Sequence, residues 1–148
     1  MKYTLIVIGV IVIGFITFLV VVVNSSSDIE RATHLPRVDW LPASASDITY
    51  AKRTGFGWYL TYECSLPESD FQSLAQKEDW PVRDATNVNI SGWRSGLNLP
   101  ELSTNEFGLP SSMVERALFF KRRYQNNGGT TVIYDRQRQR LFFNESHR

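Results

Sequence analysis

The sequence predicts an α+β fold: an N-terminal single transmembrane helix followed by a small domain of mainly antiparallel sheet with one main helix. Three observations carry this expectation. Leu5 to Val23 is a run of nineteen residues without a charge. Phe56, Trp58, Leu60, Tyr62 and Cys64 alternate with Gly57, Tyr59, Thr61, Glu63 and Ser65, the period-two pattern of a half-buried strand. One stretch of helical periodicity follows, with Phe71, Leu74 and Ala75 on a common face. At 148 residues the chain holds one domain's worth of core, which excludes a multidomain enzyme and a β/α barrel.

The apolar run spans about 28 Å as a helix, close to the thickness of a hydrocarbon core. In lipid, a single segment satisfies its own backbone only as a helix, so β-branched content does not argue against one. The expected anchor therefore covers residues 1–24, its partner being the lipid bilayer along Leu5 to Val23. A cleaved secretory signal is the competing reading, because Asn24-Ser25-Ser26-Ser27 follows the run directly. Lys2 and the amino terminus precede it, while Asp28, Glu30 and Arg31 follow. That bias favours a cytoplasmic N-terminus and an extracytoplasmic body on a cell membrane.

Residues 25–37 read as a polar, serine-rich tether without periodicity, and residues 38–148 as the α+β domain. Asp47 to Arg53 is an expected strand, Thr54-Gly55 a turn, and Phe56 to Ser65 the clearest strand of the chain. Ser65-Leu66-Pro67-Glu68 has the capping-box pattern, and Asp79-Trp80-Pro81 ends the helix it opens. Val88 and Ile90, between Asn87, Asn89 and Ser91, suggest a short strand. Ser95 to Ser112, with two prolines and two glycines, reads as a long loop. Leu118 to Tyr124 reads as a strand, although Ser112-Met113-Val114-Glu115 also matches the start of a short helix. Asn126-Asn127-Gly128-Gly129 is a turn, and Thr130–Tyr134 and Arg140–Phe143 form a closing hairpin.

Charge divides along the chain. Residues 28–115 carry seven Lys/Arg against thirteen Asp/Glu, and residues 116–148 carry eight against two, within a total of +1. Arg136, Arg138 and Arg140 are candidate partner-binding residues for an anionic surface; the plainer reading pairs them with carboxylates of the acidic part. Trp93, between Gly92 and Gly96, is the candidate exposed binding aromatic, whereas Trp58 belongs with the core. His34 and His147 lie far apart in sequence and Cys64 is the only cysteine, so no metal cluster, disulfide framework or nucleophile–base pair announces itself. No motif calls for a cofactor.

Thr54 to Tyr62 resembles the aromatic strand of an RNA-recognition motif, but Arg53 stands one place early and Tyr62 one place late. The strand and helix that such a motif needs beforehand are missing too, which sets nucleic acid aside as the expected partner. Leu41 to Tyr50, together with the ending Ile133-Tyr134-Asp135 to Arg140-Leu141-Phe142-Phe143, resembles the entry segment and closing hairpin of small bacterial membrane-anchored envelope proteins of unassigned function. The resemblance implies an anchor and an exported domain, and it brings no activity. The functional expectation is a domain that binds or scaffolds at the cell envelope without catalysis, its partner an envelope protein or an anionic surface. A tethered inhibitor of the immunity type is the alternative, and a carboxylate-based hydrolase the second alternative.

Overall fold

The computed structural model describes residues 29–55, 57–91, 113–125 and 127–147, together with Gly14. Seven strands and one short helix follow in the order β1 (Ile29–Leu35), β2 (Ser46–Arg53), β3 (Trp58–Ser65), α1 (Glu68–Lys77), β4 (Arg83–Asn89), β5 (Met113–Arg123), β6 (Gly129–Asp135) and β7 (Arg140–His147). They form one sheet in the order β1-β2-β3-β7-β6-β5-β4, every neighbouring pair antiparallel. The sheet is thus two meanders, β1–β3 and β4–β7, joined along the β3–β7 seam. That seam runs from Trp58↔His147 to Ser65↔Arg140.

The aromatic and aliphatic residues of alternate strand positions face α1, because a strand sends successive side chains to opposite sides. Phe71, Leu74 and Ala75 of α1 pack onto Tyr62, Cys64, Leu118, Phe120, Val132, Tyr134, Leu141 and Phe143. Phe71 stacks on Tyr134 with ring centroids 4.4 Å apart, and the Tyr134 hydroxyl donates to the Leu66 carbonyl at 2.8 Å. A smaller apolar cluster gathers Ile90, Val114, Ala117, Ile133 and Phe142 around the β4–β5 end of the molecule. Cys64 is fully buried, and burial pushes its thiol up to about 12, so it stays a neutral apolar filler.

The expected architecture is corrected at its N-terminal end. Among the described residues no helix is long and apolar enough to cross a membrane. Over the described residues the fold is a seven-stranded antiparallel sheet with one short helix element, and no transmembrane helix joined to a smaller sheet domain is found among them. Apart from Gly14, the run Leu5 to Val23 lies outside the described residues. Hydropathy registers how apolar a run is and does not by itself make it a membrane-spanning helix. The stretch expected as a tether is also corrected over Ile29–Leu35, which pairs with β2 from Ile29↔Arg53 to Leu35↔Ile48 as an edge strand.

Smaller differences have local causes. Pro67 occupies the cap position of α1 without a side-chain cap bond, so the capping box does not form even though the helix starts where expected. Ser112-Met113-Val114-Glu115 opens no helix: Met113 begins β5, whose pairing with β4 satisfies its backbone. Trp58 is not core. It stands at the end of β3, 38% exposed, stacked on the His147 ring at 4.6 Å. The loop expected over Ser95 to Ser112 lies outside the described residues.

Candidate functional site

One face of the sheet carries α1; on the other, Ile133 and Phe142 are buried in the smaller apolar cluster and Ala51, Thr61 and Glu63 are buried as well, whereas Arg31, Lys121 and Arg123 at one end are exposed. The register arranges this second face in rows running across the strands. The outermost row is Ile29, Arg53, Tyr59, Ser146, Gly129 and Arg123. The next is Arg31, Ala51, Thr61, Asn144, Thr131 and Lys121. These twelve positions contain four cations and no carboxylate. Ala51 and Thr61 are buried and form a floor, while Arg31, Lys121 and Arg123 stand exposed at the sides. Asn144 Nδ2 donates to Thr61 Oγ1 at 2.7 Å, tying two neighbouring strands together across that floor.

Lys121, Arg123, Thr131, Asn144, Ser146 and Asn127 line a depression of about 280 Å³ at the β5–β7 side of this region. Its shape depends on the glycine pair after the turn. A Cβ at Gly129 would lie 2.3 Å from the Arg122 carbonyl oxygen, and one at Gly128 would lie 2.0 Å from that of Ser146. Only the missing side chains let the three strands close up here. Among the described residues, none of Arg31, Arg53, Lys121 and Arg123 makes an ion pair.

The opposite end of the same face is built differently. Arg140 donates from Nη1 to Asp47 Oδ2 at 2.6 Å and to Ser65 Oγ at 3.2 Å, and from Nη2 to Glu63 Oε1 at 2.7 Å. Asp47 also pairs through Oδ1 with His34 Nδ1 at 2.6 Å. Both His34 and Asp47 have positive φ, 54° and 49°, at register breaks in β1 and β2, and these kinks turn the two side chains toward each other. Burial opposes ionisation of Asp47, but hydrogen bonds from His34 and Arg140 outweigh it and hold the carboxyl below its ordinary value. Glu63 is 4% exposed at its side chain, and its Oε2 has no partner. The other buried polar side-chain atom without a partner among the described residues is Arg53 Nε, also on this face. Of the two, one is a donor and the other a carboxylate acceptor, so no single group would satisfy both.

The arginines singled out from the sequence lie together at the β6–β7 turn, and all three are engaged internally. Arg136 binds Glu68 through Nε at 3.0 Å and Asp84 through Nη1 at 2.6 Å. Arg138 Nη1 lies 3.4 Å from Asp135 Oδ2, and Arg140 holds Asp47 and Glu63. Trp93 lies outside the described residues. What the sequence reading missed is the quartet Arg31, Arg53, Lys121 and Arg123. Its members sit on β1, β2 and β5, and only strand pairing brings them to one surface.

The chemistry these groups offer is recognition of negative charge. No cluster of three or more His, Cys, Asp or Glu with metal-binding geometry occurs among the described residues. The His34 ring bonds to Asp47 and, among the described residues, to no serine, threonine or cysteine. Set beside protein-family models, curated proteins and solved structures, the chain matches none of them.

Proposed function

We propose that this protein is a non-catalytic binding domain that receives an anionic partner at the exposed cationic end of the sheet face opposite α1. The observation that carries the reading is the segregation of charge there: four cations without ion pairs to the described residues, and no carboxylate, over two rows. The nearest carboxylate on this face, Glu63, sits one row further on and is already held by Arg140. The second cationic row lies only about 7 Å from Glu63 along the strands, within a Debye length, but that carboxylate is paired with Arg140, so the cationic end meets a ligand without a free carboxylate competing beside it. A net charge of +1 gives the chain as a whole little attraction for anions, so any strong anion binding must be local.

The test is retention of the full chain on an immobilised polyanion such as heparin, with elution by salt. The variant R31A/R53A/K121A/R123A should lose retention at low salt. A control that removes the exposed cations Arg37 and Lys77, away from this face, should elute with the parent. Equal elution of all three proteins would end the proposal.

A further inference from the structure

We infer that the partner is an anionic polysaccharide held at two points, a deduction that rests on the anion-binding reading above. The cations form two pairs, not one patch. Arg31 and Arg53 belong to β1 and β2, whereas Lys121 and Arg123 belong to β5. From β2 to β5 the sheet crosses β3, β7 and β6, which is four strand spacings or about 19 Å. A single phosphate, sulfate or carboxylate reaches one pair only. A chain bearing repeated charges reaches both at once, with the sugar units between lying over the intervening strands.

The composition of the surface between the pairs selects among polyanions. It presents Thr131, Asn144 and Ser146 with the hydroxyl of Tyr59: short groups that donate and accept hydrogen bonds, as a hydroxyl-rich sugar requires. Tyr59 is the one aromatic ring in the two rows. A single-stranded nucleic acid would need a series of rings on which successive bases stack. A bilayer surface, being flat, would not reach into a depression whose lining includes Thr131, Asn144 and Ser146.

Two-point attachment predicts a length threshold. Binding of heparin-derived oligosaccharides to the full chain, followed by calorimetry at low salt, should give an octasaccharide about a hundredfold tighter than a disaccharide, because the second pair engages intramolecularly. Removing either pair, as R31A/R53A or as K121A/R123A, should reduce the octasaccharide to about the disaccharide level. R31E provides a variant that leaves the half-buried Arg53 in place, and the urea midpoint of each variant shows that it is folded. Neutral dextran of the same length should not bind. Equal affinity for the two lengths, or a loss from only one pair, would overturn the two-point inference while leaving an anion-binding face. A single-stranded oligonucleotide or phosphatidylserine vesicles binding as tightly as the octasaccharide would overturn the choice of polysaccharide. If no anionic probe binds at all, the underlying reading falls with it.

Discussion

The two ends of the sheet face opposite α1 use the same residue type in opposite ways. At one end Arg140 is enclosed by Asp47, Glu63 and Ser65, with both terminal nitrogens engaged. At the other, Arg31, Arg53, Lys121 and Arg123 have no acidic partner among the described residues, and Arg53 even buries a donor without an acceptor. A guanidinium paired with a nearly buried carboxylate is a structural element, because removing it strands the partner's charge. A cation facing solvent adds little to stability and remains available. The difference teaches that the arginine-rich segment most visible in the sequence is the one already committed to the fold.

The largest expected effect breaks the paired end. R140M should lower unfolding free energy by about 3–5 kcal/mol in urea titration, since Glu63 would keep its charge with no counter-ion. R140M/E63Q should recover part of that loss. Recovery of nothing would mean that Arg140 acts through packing rather than charge. Next comes the cationic end's geometry: G129A sets a Cβ against the Arg122 carbonyl and should cost about 1–3 kcal/mol. It should also weaken heparin binding, because Arg123 sits directly across from Gly129.

R53M should move stability the other way, raising it by about 1 kcal/mol, because it removes a buried donor that has no partner. The same change should reduce anion binding, and a loss of stability instead would show that Arg53 has an internal role. The smallest effect concerns pH. Asp47 is depressed in the folded state, so its contribution is present above the unfolded value near 3.8 and is lost as pH falls through the lower folded one. D47N should flatten the acid limb of stability in that range while leaving its shape near neutrality unchanged, as read by urea midpoints across pH.

Much of the interior was legible because its signals are local. The alternation from Trp58 to Ser65 marks Tyr62 and Cys64 as the residues facing α1, but it misplaces Trp58, which is exposed, and does not foresee that Thr61 and Glu63 on the other side are buried too. Phe71, Leu74 and Ala75 mark the buried stripe of α1. β1 was not legible. Its residues are mostly exposed, so hydrophobic periodicity is absent, and the strand exists through hydrogen bonding to β2. β4 is the other edge, and of Arg83–Asn89 only the end near Val88 carried a readable pattern. The candidate site was hidden for a related reason. Arg136, Arg138 and Arg140 are neighbours in sequence and draw the eye, while the free quartet is assembled from three strands by register.

The seam between β3 and β7 also governs how the molecule is made. Its pairs join Trp58 to His147 and Ser65 to Arg140, contacts that loop closure makes slow to form. During synthesis β3 emerges long before β7, and until β7 arrives the β1–β3 meander presents an unsatisfied inner edge bearing Tyr62 and Cys64. A nascent chain in that condition is a template for another copy's strand. Growth temperature and expression rate should therefore govern the yield of soluble protein more strongly than equilibrium stability does.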